Sequence, residues 1–225
     1  MGRFRPGRPI PVLLATGTLF LTGCTLPPRG PGPSPAHSFR RLEAIRGFEI
    51  SGELGVVDRH RGFSGSFYWR DQRGRNLLVV TAPLGSGGFR LSGHPGHWRL
   101  VTSRGRTLSV RHCLRCVLAH WFAVPVPIQS LGYWVRGLPD PGIPAREIRD
   151  SHGRLRHLAQ EDWHLLFEHY GQVAGLPVPT SLILRYRSAR IHLLVDRWTV
   201  WRPARKDGHR SQDRPRAFAR RAAER

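Results

Sequence analysis

From Gly47 onward the apolar positions fall at every second residue. Phe48, Ile50, Leu54 and Val56 alternate with polar or small residues as far as Asp58, which predicts a strand with one buried face. The polar stretch Asp58 to Gly62 suits a hairpin turn, and Phe63 to Arg70 carries the next strand, with Phe67 and Trp69 on one side. Asp71 to Gly74 turns the chain again. Asn76 to Thr81 is apolar on both faces, as expected of a central strand. The run Ala82-Pro83-Leu84-Gly85-Ser86-Gly87-Gly88 breaks the pattern. Three short strands are predicted beyond it, over Phe89–Ser92, His97–Thr102 and Thr107–Val110.

The spacing then changes. Val110, Leu114, Val117, Leu118 and Trp121 recur at three- and four-residue intervals and predict an amphipathic helix, which Val124-Pro125-Val126-Pro127 stops. Pro127 suits the first turn of a second helix running to Arg136, with Leu131, Trp134 and Val135 as its apolar side. Gly137 to Gly142 ends it. Four strands follow, near Leu155–Glu161, Trp163–Tyr170, Thr180–Tyr186 and Arg190–Trp198. Pro177 and Pro179 fall in a connection, and Arg187-Ser188-Ala189 forms a tight hairpin. A short helix over Phe39–Arg46, antiparallel strands, a two-helix insert and more strands give an α+β plan. A strongly curved sheet folded partly around the helices would leave a cavity between them.

The ends of the chain read differently. Arg3, Arg5 and Arg8 precede an apolar run from Ile10 to Leu21 that closes on Leu21-Thr22-Gly23-Cys24, the layout of a secretory signal. The run is too short and too broken by Pro and Gly for a transmembrane helix, which needs roughly 20 apolar residues. Leu-Thr-Gly-Cys resembles the bacterial lipobox, in which the cysteine is diacylated and then becomes the acylated N-terminus; the alternative is an ordinary signal peptide with a chance cysteine. Thr25 stands where an aspartate commonly signals inner-membrane retention, which favours the outer membrane. The expected division is therefore a signal peptide over 1–23, a flexible Pro/Gly-rich tether over 24–38, a folded domain over 39–201 and a basic disordered tail over 202–225.

Charge sharpens the choice of partner. The formal net charge is +21, which by itself suits nucleic acid. Export argues against that partner and leaves anionic lipid head groups or acidic proteins as the available counter-charges. No catalytic constellation emerges: no nucleophile elbow, no phosphate-cradling glycine loop, and Glu161-Asp162 as an adjacent carboxylate pair pointing to opposite strand faces. Cys113-Leu114-Arg115-Cys116 is the sharpest motif. Two buried thiols or a local disulfide are the ordinary reading. With His112 and His120 nearby a metal site can also be drawn, and redox chemistry is the third option. Seven tryptophans are spread along the body, where they pack a core or line an apolar cavity. Leu84 is the one large apolar side chain in a Pro-Gly-Gly loop, and such a tip ordinarily folds back onto the core.

Taken in order, these residues resemble the outer-membrane lipoprotein receptor family LolB. The match runs from the lipobox through Gly47-Phe48-Glu49-Ile50-Ser51-Gly52, Phe67-Tyr68-Trp69, Thr81-Ala82-Pro83-Leu84-Gly85 and Pro125-Val126-Pro127. It continues through Leu131-Gly132-Tyr133-Trp134-Val135-Arg136-Gly137-Leu138-Pro139 and ends at Asp196-Arg197-Trp198. The resemblance implies a curved antiparallel sheet forming an incomplete, half β-barrel covered by helices, with an apolar cavity for acyl chains. Phe67, Trp69, Leu131, Trp134 and Trp198 are the candidate lining or core residues. It implies a non-enzymatic, monomeric receptor on the periplasmic side of the outer membrane, lipid-anchored through Cys24. Such a receptor takes lipoprotein cargo from the periplasmic carrier LolA and inserts it into the inner leaflet. Pro83-Leu84-Gly85 would be the membrane-insertion loop. Apart from N-acyl and S-diacylglycerol lipid on Cys24, no cofactor, metal or nucleic acid is called for. An envelope lipoprotein that holds free lipid or another envelope component is the alternative. The arginine-rich tail, the strong positive charge and the Cys113/Cys116 pair depart from the family pattern.

Overall fold

The computed structural model describes residues 35–59, 61–85 and 87–201. The signal segment, Cys24, most of the tether and the tail lie outside these residues. Among the described residues, a helix α1 (Pro35–Glu43) is followed by six strands: β1 (Gly47–Asp58), β2 (Arg61–Gln72), β3 (Arg75–Thr81), β4 (Gly88–His94), β5 (His97–Thr102) and β6 (Thr107–Val110). Two short helices come next, α2 (Leu114–Phe122) and α3 (Ile128–Trp134). Five more strands complete the body: β7 (Arg146–Arg149), β8 (Leu155–Gln160), β9 (Trp163–Val173), β10 (Leu176–Tyr186) and β11 (Ala189–Trp201).

All eleven strands belong to one antiparallel sheet in the order β6-β5-β4-β3-β2-β1-β11-β10-β9-β8-β7. Each half of the chain is a meander, and the two join where β1 pairs with β11 from Gly47↔Trp201 to Val57↔Arg190. Neighbouring strands lie about 4.8 Å apart, so ten spacings laid flat would span nearly 50 Å. Yet inward residues from both wings, Leu100 on β5 and Leu158 on β8 among them, share one buried cluster with Leu118 of α2 and Trp134 of α3. A sheet does this only by curling around its helices. The sheet stays open, an incomplete barrel filled from one side by α2 and α3.

Several predicted boundaries shift for physical reasons. Helix α1 begins at Pro35, inside the stretch expected to be tether. Its Leu42, with Ile45 just beyond it, packs on Leu138, Leu176 and Val178 in a second, smaller core. Pro177 and Pro179 sit within β10 rather than before it. There β10 pairs only with β9, since its pairing with β11 starts at Ser181, so no partner on that side requires their missing N–H groups. Strand β3 does pair on both sides, but its outward Leu77 and Val79 are only half-buried because no layer of the described residues covers the outer face. Strand β7 carries no alternation: Arg-Glu-Ile-Arg is exposed along its length at the sheet's edge.

Candidate functional site

Between the concave sheet and the helices lies an apolar space of about 40 Å³, lined entirely by apolar side chains. Phe67 and Trp69 of β2 and Leu131 of α3 reach it. So do Phe122, the last residue of α2, and Leu184 and Leu193 from the other wing. This volume is about that of one or two water molecules, far below that of an acyl chain. The space as it stands is too small for an acyl chain, and a long apolar ligand fits only if the elements that line it move apart. Helix α2 holds its place through Leu118 and through ring contacts of Trp121 and Phe122 with Phe89 of β4, at 5.0 and 5.8 Å between centroids.

The other two candidate aromatics sit elsewhere. Trp134 is fully buried, packs on Trp163 at 5.8 Å and donates through Nε1 to Gln160 Oε1 at 2.8 Å. It is core, behind the lining. Trp198 is half-buried, tilts against Phe48 at 5.9 Å and donates to the Pro179 carbonyl at 3.0 Å.

Leu84 does not fold back. Pro83–Gly85 forms a single tight turn between β3 and β4, where the Ala82 N–H donates to the Gly87 carbonyl at 2.9 Å, and Leu84 stands fully exposed at its tip. Its backbone is left-handed, with φ 55° and ψ 21°. A left-handed L-residue costs roughly 1–2 kcal/mol, and exposure returns no packing to offset it. The loop thus spends stability to present a greasy side chain to solvent, the kind of local strain that collects at functional sites.

The cysteine pair resolves into a local disulfide, Cys113–Cys116, on the surface at the N-terminus of α2. Neither cysteine is buried, and bonded sulfurs offer no thiolate to a metal. No group of three or more His, Cys, Asp or Glu side chains placed to hold a metal occurs among the described residues.

Among the described residues, four buried polar ones, Asn76, Ser130, Gln160 and Ser181, escaped the sequence reading, and two of them brace the site. Gln160 accepts from Trp134 Nε1 and the Asp140 N–H, and donates to the Asp140 and Ile143 carbonyls, all within 2.8–2.9 Å. It fastens the segment after α3 to β8. Asn76 accepts from Trp69 Nε1 at 2.8 Å and so fixes a lining ring. The available signal was one of register: Asn76 holds an inward position of the alternating β3, and Gln160 follows the buried Leu158 at a two-residue spacing in β8.

The family model for the outer membrane lipoprotein LolB matches residues 46–198, which covers the curled sheet, both helices and the Leu84 loop. The chain belongs to the LolB family. An outer-membrane lipoprotein LolB from Nitrosococcus oceani is 26% identical over 195 residues, covering 84% of this chain and 96% of that one. LolB proteins from Klebsiella pneumoniae (28% identical; 84% and 97% covered) and Stutzerimonas stutzeri (29%; 80% and 90%) match at similar length. Among solved structures, a LolA superfamily protein from Nitrosomonas europaea aligns with a TM-score of 0.47 at 9% identity, covering 76% of this chain and 94% of that one. Membership in the LolB family makes the chain a lipoprotein-handling protein rather than an enzyme.

Proposed function

We propose that this chain is a lipoprotein receptor of the outer membrane. It is anchored by acyl groups on Cys24, faces the periplasm, accepts lipoproteins from LolA as a monomer, and inserts them into the inner leaflet. The observation that carries the reading is the pairing of a small apolar interior with an exposed, strained leucine on the loop that follows a lining strand. Burying acyl chains is worth ~0.8 kcal/mol per CH₂, so three chains exposed to water cost tens of kcal/mol. A receptor whose helices lift from the sheet takes the chains from a carrier without that exposure and needs no nucleotide. Leu84, already in solvent, enters the bilayer at little cost and offers the chains an apolar exit.

The test is reconstituted transfer: lipoprotein bound to purified LolA is mixed with this protein and then with liposomes. The wild type is expected to accept cargo and deliver it. Leu84→Glu is expected to accept normally and to deliver at least tenfold less. Normal delivery by that variant would remove Leu84 from the mechanism, and failure of the wild type to accept cargo would overturn the receptor reading.

A further inference from the structure

At the opposite end of β3 from Leu84, roughly 20 Å along the strand, lies a cleft of about 840 Å³. It is bounded by the end of α1, the start of β1, the β2–β3 turn and α3. Three arginines line it, Arg46, Arg73 and Arg136, together with Glu43, Asp71 and Asp140. Among the described residues no ion pair joins any of these arginines to any of these acids. Asp140 is already engaged, accepting from the Ser130 hydroxyl and the Gly142 N–H. Asp71 accepts from the Gly74 N–H at 3.1 Å, and burial raises its pKa above the ordinary value, so the cleft holds charges of both signs with no ion pair between them.

Arg136 is the best-defined member. Its Nε donates to the Gly132 carbonyl at 2.8 Å, and its guanidinium lies 4.8 Å over the Tyr133 ring. These contacts hold the plane in place and leave Nη1 and Nη2 with no hydrogen-bond partner among the described residues. Burial pulls the arginine's pKa down, and the charges of Tyr133, Asp71 and Glu43 oppose that pull. A fixed, half-buried fork of N–H donors is the usual receptor for a phosphate or carboxylate.

The floor of the cleft shows what else the ligand carries. Phe48 lines it and meets Trp69 edge-on at 5.0 Å, and Trp69 lines the apolar space behind. Gly132, also on the floor, lies against the same Trp69 ring: a Cβ there would be 3.9 Å from it, in ordinary contact. One layer of rings thus separates a charged cleft from an apolar interior, the layout that suits an amphiphile.

We propose that this cleft is a binding site for the zwitterionic head group of a glycerophospholipid. Its phosphate sits on Arg136 with Arg46 and Arg73, its ammonium faces Glu43 and Asp71, and its chains reach the apolar space behind Phe48 only when that space opens. A triacylated cysteine carries no phosphate, so this site is separate from cargo recognition and stands whether or not the receptor reading does.

The test uses the full chain and dihexanoyl phosphatidylethanolamine below its micelle concentration, with affinity read by calorimetry. Saturable binding is expected, weakened at least tenfold by Arg136→Gln and severalfold by Arg73→Gln, an exposed turn substitution that keeps the test open if the first variant misfolds. Glu43→Gln is expected to weaken the ethanolamine lipid more than dihexanoyl phosphatidylglycerol, which lacks the ammonium. Equal affinity in wild type and both arginine variants would overturn the proposal. So would equal binding of dihexanoylglycerol, which has the chains alone, or full displacement by equimolar inorganic phosphate, which would make free phosphate the ligand. Lipoprotein acceptance from LolA, measured on the same variants, is expected to be unchanged, so a loss confined to that assay bears on the receptor reading only.

Discussion

Leu84 and Gln160 mark two opposite uses of a single side chain. Leu84 gives up packing and backbone ease to face solvent, so its replacement by Glu is expected to leave the thermal midpoint unchanged while delivery falls. Gln160 satisfies four groups at once in a site that is 1% exposed. Gln160→Leu preserves volume but strands the Trp134 and Asp140 N–H groups and two carbonyls. A loss of about 3 kcal/mol is expected, read from urea unfolding. Gly52 is constrained by its neighbour instead: a Cβ there would lie 1.9 Å from the Leu194 carbonyl oxygen, beside the irregularity in the β1–β11 register. Gly52→Ala is expected to lower stability by about 3 kcal/mol, checked the same way.

At the level of elements, the outer face of β9, β10 and β11 carries a small polar bridge. The Ser181 hydroxyl donates to Glu168 at 2.7 Å, and His192 Nε2 lies 3.2 Å from the same carboxylate oxygen. The Ser181 bond, chiefly, and the charge and hydrogen bond of His192 hold the Glu168 pKa below its ordinary value. A carboxylate with a depressed folded pKa adds stability above its unfolded pKa, near 4.3, and loses it as pH falls through the folded value. Wild type is therefore expected to lose more stability between pH 6 and pH 3 than Glu168→Gln, in paired urea titrations. Most elements were legible because alternation and helical spacing report directly on a buried face. β7 was not, because a fully exposed edge strand has no buried face to leave a pattern. The prolines of β10 misled for a related reason: a proline marks a break unless the pairing shows that its missing N–H faces no partner.

For the whole molecule, the decisive property is how small the apolar interior is. A space of about 40 Å³ leaves no room for acyl chains until its walls part, and α2 and α3 are expected to be the part that moves. Amides of α2 are therefore expected to exchange hydrogen faster when a long-chain acyl ligand is bound, while those of β1 and β11 at the centre of the sheet stay protected; unchanged α2 exchange would argue against opening at the helices. The alternating pattern, the two-helix insert and the ordered motifs determined by themselves the α+β class, the family and the place of Leu84 in a loop, because each depends on local spacing. Only the tertiary structure decided that Leu84 is exposed rather than folded back, that Trp134 is core rather than lining, that Cys113 and Cys116 are joined on the surface, and that three arginines share a cleft with three acids and no ion pair between them. The packing of Trp134 and the make-up of the cleft depend on which residues the curl of the sheet brings together from distant parts of the chain, and no local pattern carries that information.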